Sequence, residues 1–549
     1  MSQIMSVLLT LLPIAIILCM LILWKKPADL SGIVGWIAIS IIAILFFKTS
    51  IEVIFRSTIS GIIRSFPVSL IVATSLLQMA YMEKTGALKR IIIFIKTIAC
   101  ENRAVQIMMI NIGFGTLMVA VGATPVSLLP PILIAMGYST YVAIALPAIG
   151  YDSLCTYALL GAPLVAFIDF ANRFLGVGHE LTPSQVGSVF FLFIPIVSTL
   201  IGFCMLWIVG RMKAIREGWL PCIITGGVIT AVAYFTNRVD NLVALTGVLC
   251  GIAVIFTMII YLLVTGKKVI DKSRLTQEEL EYEKKYPLWK AFIPWIILIV
   301  VILALNLPKS IYNYLYFDLL LPVSGLSPDG LPIKTRALWN AYTWIFVSII
   351  LSMAFIRPTA RQLKDTMKIW WKRAPRPVFS AAIFFAIGEI MNMSNFTGYQ
   401  IGTKFVNNIA KQVNILDGGI NMVKVLADSS AQLFQHAYSG FATFIGLFGG
   451  FITGSEASAI AMFSTYAMQT SGKLGFSITS IIIIAAALAF GSGLASVISP
   501  AKLQNAAASI DKMGEENKVI KIAFVFSIGL CAVTAVYTII LLALNIKII

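Results

Sequence analysis

The stretch FGGFITGSEASAIAMF, residues 448–463, is apolar at both ends and interrupted in the middle. The interruption consists of small, polar or acidic residues, namely Thr453, Gly454, Ser455, Glu456 and Ser458. In hydrocarbon, each unsatisfied backbone N–H or C=O group costs several kcal/mol, so a break in a membrane helix must be buried in protein or line a watery cavity. The stretch therefore predicts two helical segments that meet at a polar cavity.

The composition of the whole chain is that of an integral membrane protein. It has 549 residues, of which 59% are hydrophobic and 12% charged, whereas soluble domains average about 25% charged residues. Apolar runs close to the ~20 residues needed to cross a bilayer recur from Ile4 to Ile546. We therefore expect an all-α polytopic membrane protein with about 12–14 transmembrane helices.

Basic residues lie in short clusters between the apolar runs, although a net charge of +17 would suggest a nucleic-acid partner in a soluble chain. Lys and Arg are retained on the cytoplasmic side of membrane proteins. We therefore expect all these clusters in the cytoplasm, an N-terminus outside the cell membrane, and no nucleic-acid partner. The clusters are Lys25 with Lys26 and residues 84–103, 211–216, 267–290, 357–376 and 512–521. The seven cysteines are scattered without a CxxC pair, so we expect no metal site.

The apolar segments divide into two halves separated by a polar linker. The expected units are an N-terminal transmembrane half (1–265), a cytoplasmic linker (266–290) and a C-terminal transmembrane half (291–549). Each half has a small-residue break, an apolar span and a second break, so interrupted or re-entrant segments are expected near 121–131, 151–163, 453–458 and 491–502. Paired interruptions in two related halves, here expected to be inverted, are typical of the binding sites of secondary transporters.

Helices that begin at such breaks are candidate anion sites. Their free N–H groups and the positive end of the helix dipole point into the cavity. We expect a small organic anion to bind at the break residues, which are Gly122, Ala123, Thr124, Pro125, Thr453, Gly454, Ser455, Ser458 and Ser499. Lys502 could add a point charge for a carboxylate, or it could lie at the cytoplasmic edge and extend its amine to the interface.

Glu456 is the first candidate for proton coupling. A charge at the bilayer centre costs roughly 2.5–3.5 kcal/mol on insertion scales, so the side chain is expected to face protein or water. Burial favours the neutral form of a carboxyl group, which suits a residue that takes up and releases a proton. The alternative is that Glu456 only caps its own helix from the first turn, where the dipole favours an acid.

Two further acids are candidates for the same role. Glu389 lies near Asn392, Ser394 and Asn395, which could form a relay or a polar wall for the substrate. The alternative for this group is hydrogen bonding that holds two spans together. Asp152 lies in the first-half break beside Ser153, which is a candidate for substrate binding, and the pair could equally cap a helix.

Enzyme signatures are absent from the sequence. It contains no H-E-x-x-H, G-x-S-x-G or Walker A motif. We therefore expect a protein that is not an enzyme and has no cofactor. Transport would then draw on an ion gradient, either of protons or of sodium, since unwound carbonyl groups can bind sodium without an acidic signature.

At these motifs the chain resembles the lactate permease family, as a divergent member. The residues that match the family's Thr-Gly-Ser-acid-x-Ser and Ile-Ser-Pro runs are Thr453, Gly454, Ser455, Glu456, Ser458, Ser499 and Pro500. The chain departs from the family at residues 118–121, which lack an acid, and at Ala501 and Lys502, which replace Gln-Ser. The resemblance implies uptake or exchange of lactate- or glycolate-type 2-hydroxy monocarboxylates by proton symport in the cell membrane.

Two alternatives to this reading are kept. One is transport of a different organic anion, a dicarboxylate or a sugar acid, with sodium as the coupling ion. The other is a non-transporting membrane scaffold, which a soluble signalling domain would support. The expected partners are the anion and the lipid bilayer, and a homodimer is also considered.

Overall fold

A computed structural model describes the chain except for residues 1, 99–101, 151, 177, 274, 398–400, 407–408, 415–418, 497, 513, 547 and 549. At a further set of positions it describes the backbone alone, and these are residues 152–153, 401–406, 409–414, 496, 500–501 and 516–517. The described chain is helical almost throughout, as the composition predicts.

The first half of the chain forms fourteen α-helices within the described residues. They are α1 (Gln3–Ile22), α2 (Ala28–Phe47), α3 (Ile51–Arg64), α4 (Phe66–Lys84), α5 (Ala87–Lys96), α6 (Arg103–Ile107), α7 (Gly115–Ala120), α8 (Pro125–Ala135), α9 (Thr140–Ile149), α10 (Ala158–Leu175), α11 (Pro183–Phe191), α12 (Ile194–Thr236), α13 (Asp240–Val243) and α14 (Thr246–Val264). A π-helical stretch, Met108–Phe114, joins α6 to α7, and a 3₁₀ stretch, Asp152–Tyr157, precedes α10.

The linker and the second half supply the remaining elements. The helices are α15 (Gln277–Lys285), α16 (Leu288–Asn306), α17 (Lys309–Asn313), α18 (Ala341–Ile356), α19 (Ala360–Arg373), α20 (Pro375–Met393), α21 (Met422–Phe434), α22 (Tyr438–Thr453), α23 (Glu456–Lys473), α24 (Ile478–Ser496), α25 (Pro500–Ala508) and α26 (Glu516–Ala543). Short pieces at Tyr314–Asp318 (π) and Gln435–Ala437 (3₁₀) extend α17 and precede α22. One antiparallel hairpin, β1 (Ile401–Val406) and β2 (Ile409–Asn414), pairs Ile401 with Asn414.

The protein is a multi-pass membrane protein. Ten helices among the described residues are long and apolar enough to cross a bilayer, or eleven if the bent pair α19 and α20 forms one span. The ten include Ile194–Thr236, whose 43 residues are enough for two spans, and three further apolar helices have only 10–17 residues, namely Pro125–Ala135, Thr140–Ile149 and Ala341–Ile356. Helices this short reach only part of the way across about 30 Å of hydrocarbon at 1.5 Å per residue.

The 43-residue helix α12 contains two antiparallel arms. Its backbone leaves the helical region at Gly210 and Arg211, where a basic cluster begins. Beyond this point the chain packs back on itself, because Gly202 lies against Cys222 and Gly226 lies against Thr199. The sequence predicted this division, with a basic turn between two apolar runs.

Several basic clusters share one face of the molecule. The linker helix α15 contacts α5 through an ion pair of 2.9 Å between Glu283 and Arg90. On the same face Glu83 in α4 pairs with Arg373 in α19 at 2.7 Å. The linker helix therefore lies against the first half, and the Glu83–Arg373 pair joins the two halves on the same face. The loop of residues 319–340 lies at the opposite end of α16, which starts on this basic face.

The two halves interlock rather than form separate bodies. Helix α3 packs on α20, α4 packs on α18, and α10 packs on α23. Glycines allow the closest approaches, since a Cβ atom at Gly61 would lie 2.6 Å from the backbone of Ala386. Small residues at such crossings let helix backbones approach closely in a membrane protein. A similar close contact at a glycine joins α22 to α24, where Gly450 lies against the carbonyl of Ser492.

All four predicted interruptions are present in the structure. Helix α7 ends before Gly122, which has a φ of +90°, and α8 begins three residues later. The second-half break repeats this order, with Gly454 at φ +66° between α22 and α23. Near 151–163 the chain forms the 3₁₀ stretch and then leaves helical geometry again at Leu159, Leu160 and Gly161. Between α24 and α25 the helix stops at Ser496 and restarts at Pro500. That the halves are related by inverted topology stays a prediction.

Candidate functional site

The second-half break is a tight turn held by side chains. Thr453 ends α22, and its hydroxyl donates to the carbonyl oxygens of Gly449 and Ser455 at 2.9 and 2.8 Å. Gly454 adopts the left-handed conformation that only glycine takes at no steric cost. Ser455 then caps α23, because its hydroxyl accepts from the N–H of Ser458 at 3.4 Å. This local chemistry explains why the apolar stretch is interrupted here.

Glu456 is the first residue of α23 and is only 2% exposed. Its oxygen Oε1 accepts a hydrogen bond of 2.6 Å from the hydroxyl of Thr156, in the first-half break. Its other oxygen, Oε2, lies against Gly493 and beside the weak thiol donor of Cys155, and it has no further hydrogen-bond partner in the described part of the chain. The carboxylate therefore joins the two halves, while the capping of its own helix is done by Ser455.

The last break lies beside the same turn. Ser499, which is 3% exposed, places its hydroxyl 2.8 Å from the position that a Cβ atom on Gly454 would take. It is the N-cap residue of α25 and makes no side-chain capping bond there. Lys502 follows within the first turn, is partly buried, and exerts an electrostatic attraction on Glu456. Ser499 thus lies beside Gly454, and Lys502 is close enough to act electrostatically on Glu456.

Ser458 is fully buried in the first turns of α23. Its hydroxyl oxygen has no hydrogen-bond partner within the described residues. Buried hydroxyl groups in proteins are usually satisfied by protein or water. An unsatisfied hydroxyl two residues from Glu456 is a group that a polar ligand could bind.

The first-half break beside Glu456 is strained. The chain runs through the 3₁₀ stretch that carries Thr156, and Tyr157 donates a 2.7 Å hydrogen bond from its hydroxyl to Asn237. Leu159 and Leu160 then take φ values of +53° and +54°. Leucine pays a steric cost for left-handed geometry, and such outliers concentrate at functional sites. The side chains of Asp152 and Ser153 lie outside the described part of the structure.

The break at Gly122 lies elsewhere in the packing. A Cβ atom at Gly122 would lie 2.8 Å from Ser75 and 3.4 Å from Ile345. Thr124 is the N-cap of α8 without a side-chain capping bond, and Pro125 is its first residue. Helix α8 packs on α25, which carries Lys502, and Gly247 lies against both Ala120 and Tyr157. The break at residues 122–125 therefore lies beside the elements that surround Glu456, and not in the turn that carries Glu456.

Glu389 belongs to a second, separate cluster. It is 1% exposed and receives two hydrogen bonds from Nη1 of Arg173, at 3.0 and 2.8 Å. The Nε atom of Arg64 lies 3.4 Å from the same carboxylate, and the hydroxyl of Ser60 donates to it at 3.4 Å. Glu389 is therefore a buried carboxylate that faces two arginine side chains.

Asp329 completes the second cluster from the loop of residues 319–340. Its oxygen Oδ2 lies 2.7 Å from Nε and 2.5 Å from Nη2 of Arg173. Burial by itself would raise the pKa of Asp329, but the charges of Arg173 and Arg64 and the hydrogen bond with Ser327 hold that pKa below its usual value. Asp329 is therefore ionised at neutral pH.

The predicted polar neighbours of Glu389 mostly bind the start of α21. Ser394 accepts a hydrogen bond from the N–H of Met422 at 2.8 Å, and Asn395 accepts one from the amide of Asn421 at 2.7 Å. Asn421 also donates to the carbonyl of Asn392 at 2.8 Å. Of these three neighbours, Asn392 has a buried side-chain oxygen with no hydrogen-bond partner in the described part of the chain. These contacts fit the interhelical alternative for Ser394 and Asn395.

Sequence reasoning missed Thr156, Arg173, Arg64 and Asp329. A charged residue inside an apolar span is a functional signal, and Arg173 in the run 158–175 could have been found in this way. Asp329 could not, because its loop shows no local sign that it reaches a buried arginine. Among the described residues there is no group of three or more His, Cys, Asp or Glu that could hold a metal ion.

The solved structures similar to this chain include an efflux-pump protein and a transporter. Neisseria gonorrhoeae MtrF, described with a class of antimetabolite efflux pumps, aligns with a TM-score of 0.43 and 13% identity over 88% of this chain and 83% of that one. The YdaH transporter of Alcanivorax borkumensis aligns with a TM-score of 0.43 and 13% identity over 90% and 89% of the two chains.

Comparison with sequences finds relatives of similar length. Glycolate permease GlcA of Escherichia coli (strain K12) is 20% identical over 97% of this chain and 95% of that protein. L-lactate permease of the same organism is 20% identical over 90% and 88%, and that of Bacillus subtilis (strain 168) is 21% identical over 98% and 96%. The family model described as L-lactate permease matches residues 6–545. Because this match spans nearly the whole chain, the protein belongs to the L-lactate permease family.

Proposed function

We propose that this protein is a secondary active transporter of small organic anions, which takes up or exchanges 2-hydroxy monocarboxylates such as lactate and glycolate. Membership of a permease family supports this, as do relatives named for lactate and glycolate. The observation that carries the proposal is the hydrogen bond between Thr156 and Glu456. It places a buried carboxylate where the interrupted segments of the two halves meet.

We propose Glu456 as the proton carrier. A buried carboxylate is costly in its charged form, so it exchanges a proton when its surroundings change between wet and dry. The hydroxyl of Thr156 and the positive charge of Lys502 support the charged form. Protonation would remove a buried charge before the site moves. Glu389, which is paired with Arg173, and Asp152 are the second candidates for this role.

The anion would bind at the helix starts beside Glu456. The start of α25 at Ser499 and the unsatisfied hydroxyl of Ser458 can donate hydrogen bonds to a carboxylate or a 2-hydroxyl group. Thr453, Gly454 and Ser455 shape the turn beside them. We include the first-half break at Gly122, Ala123, Thr124 and Pro125 as a second part of the binding region, which would have to approach during transport.

We also propose how the protein is oriented in the membrane and what it binds. The shared basic face would lie in the cytoplasm, which puts the N-terminus outside the cell membrane. The protein would need no cofactor and would carry out no chemical reaction. Its partners would be the anion and the lipid bilayer, with no nucleic acid, and a homodimer is compatible with the fold.

Uptake into proteoliposomes tests the proposal. Labelled L-lactate should accumulate when an inward proton gradient is imposed at equal sodium on both sides. Glycolate should compete, whereas a dicarboxylate and a sugar acid should compete weakly. Accumulation that follows a sodium gradient, or a preference for the dicarboxylate, would favour the alternative anion transporter. No uptake of any of these acids would reject the proposed function.

A further inference from the structure

The second charged cluster lies apart from Glu456, and the mechanism proposed above does not use it. Arg173 and Arg64 supply two positive charges, and Glu389 and Asp329 supply two negative charges. None of the four side chains is more than 15% exposed. Charges removed from water are stable only when they are paired. The cluster is therefore balanced only while all four members are in place.

Three of the four charged residues lie on helices, and the fourth lies in a loop. Arg64, Arg173 and Glu389 lie on the helices α3, α10 and α20, which pack into the body of the protein. Asp329 lies in a turn of the loop 319–340, where the N–H of Gly330 donates to the carbonyl of Ser327 at 2.9 Å. Displacement of this loop alone would remove one negative charge and leave the two arginines facing the single carboxylate of Glu389.

Asp329 binds Arg173 through a single oxygen. The Nε and Nη2 atoms of Arg173 both approach Oδ2, while Oδ1 accepts from the N–H of Leu331 at 3.1 Å. This edge of a guanidinium binds a carboxylate best through two parallel hydrogen bonds, one to each oxygen. A free carboxylate can therefore use the edge of Arg173 more fully than Asp329 does.

Arg64 offers unused donors at the same place. Its Nε atom is buried and makes no hydrogen bond in the described part of the chain, although it faces Glu389 at 3.4 Å. Its Nη2 atom donates to the hydroxyl of Ser327 at 3.4 Å. Because Ser327 belongs to the same loop as Asp329, displacement of the loop would free this donor as well.

We propose that Arg173 and Arg64 form a binding site for the carboxylate of the substrate on the loop side of the protein, and that Asp329 occupies this site as an internal substitute until the loop opens. The inference rests on the proposed function, since it takes the ligand to be a small carboxylate. A monoanion replaces Asp329 charge for charge, so binding and loop opening are coupled. A dianion would leave an excess negative charge beside Glu389, so the site favours monocarboxylates.

The competing explanation is that Asp329 only fastens the loop. The chain offers a matched control, because Arg336 of the same loop pairs with Asp169 at 3.1 Å. Asp169 and Arg173 are four residues apart on α10. The two pairs fasten the same loop to the same helix, but only Asp329 contacts Arg173. Asp169→Asn therefore loosens the loop without emptying the proposed site.

The test compares Asp329→Asn with Asp169→Asn in the full-length protein, using L-lactate as the probe. Asp329→Asn should lower the KM of uptake about 5- to 10-fold, because residue 329 no longer competes with the ligand for Arg173 and a larger fraction of the protein can bind it. L-lactate should also raise its unfolding temperature more than that of the parent. Asp169→Asn should change neither quantity by more than about twofold. Arg173→Gln should reduce the thermal shift to the part that comes from binding beside Glu456, with partial recovery in Arg173→Lys.

Equal effects of Asp329→Asn and Asp169→Asn on KM would overturn the inference in favour of simple fastening. An unchanged thermal shift in folded Arg173→Gln would also overturn it. Should Asp329→Asn fail to fold, Pro328→Cys gives an independent measurement, since Pro328 is buried in the closed loop. L-lactate should speed its modification by an impermeant maleimide several-fold, read by mass spectrometry of that peptide. An unchanged rate rejects loop opening.

The experiments distinguish failure of the proposed function from failure of the proposed Arg173 site. If the parent neither binds nor transports any monocarboxylate, the proposed function is wrong and the inference falls with it. If the parent transports L-lactate with Glu456-dependent coupling while the Asp329 variants behave as their Asp169 controls, only the inference is wrong.

Discussion

The hydroxyl of Thr156 and the carboxylate of Glu456 are 2.6 Å apart in space and 300 residues apart in the chain. Both groups are about 2% exposed, and each lies where a helix is interrupted. Because the carboxylate accepts this hydrogen bond from the opposite half, a relative movement of the two halves would break or lengthen the bond. This contact is the basis of the first two predictions.

Glu456→Gln should abolish the accumulation of L-lactate that is driven by a proton gradient, while exchange of labelled for unlabelled L-lactate continues. Glutamine keeps the shape and can still accept from Thr156, but it cannot carry a proton. Uptake and pH changes inside proteoliposomes measure the two activities. Glu52→Gln is the control, because Glu52 is also a first-turn acid but is exposed. Gradient-driven accumulation equal to that of the parent would rule out Glu456 as the carrier.

Thr156→Ala should reduce the maximal rate of uptake about tenfold with little change in KM. A hydrogen bond to a charged group contributes about 1.5–3 kcal/mol, so its loss makes the ionised state of Glu456 more costly and slows proton release. Thr156→Ser keeps the hydroxyl and should retain most of the rate. A rate in Thr156→Ala that matches the parent would show that the contact is not used in transport.

Gly450→Ala should destabilise the protein by about 1–3 kcal/mol, as overpacking of a close crossing does. A Cβ atom at this position would lie 2.1 Å from the carbonyl oxygen of Ser492 in α24. Thermal unfolding in detergent measures the change. Gly227→Ala is the matched control, since no atom lies within 4 Å of its Cβ position, and helix propensity favours alanine by up to about 1 kcal/mol. Equal stability of the two variants would refute the close crossing of α22 and α24.

The ion pair of Asp329 should stabilise the protein at neutral pH and lose its effect only in acid. Its pKa is lowered in the folded state, so its contribution is complete above the unfolded value of about 3.9 and disappears as pH falls through the lowered value. The difference in unfolding temperature between the parent and Asp329→Asn should therefore be constant from about pH 8 to pH 5 and shrink below about pH 4. A difference that changes between pH 5 and 8 would contradict this.

The same reasoning limits what Asp329 can do in transport. Because it stays ionised across the range in which proton-coupled uptake is measured, Asp329→Asn should leave the shape of the pH profile unchanged. Glu456→Gln should flatten that profile. The two acids are thereby separated by a measurement that does not depend on KM.

Much of the architecture follows from the sequence because it depends on local chemistry. Apolar runs of spanning length fix the helices, since only a helix satisfies its own backbone in hydrocarbon. The interruption at Thr453, Gly454 and Ser455 could also be predicted from the sequence, because a glycine followed by a serine cap is a local signal for the end of one helix and the start of the next. Five of the seven residues that match the permease motif lie in this stretch, and the family assignment confirmed the resemblance.

The sequence by itself therefore determined a membrane protein with interrupted helices and a buried acid at one of them. Only the tertiary structure decided which partners these groups meet. Nothing near Thr156 signals that it binds Glu456, and nothing in the loop signals that Asp329 reaches Arg173. These pairs are formed by packing between segments that are 300 and 156 residues apart in the chain. Their energy depends on distance and burial, which no local pattern of residues encodes.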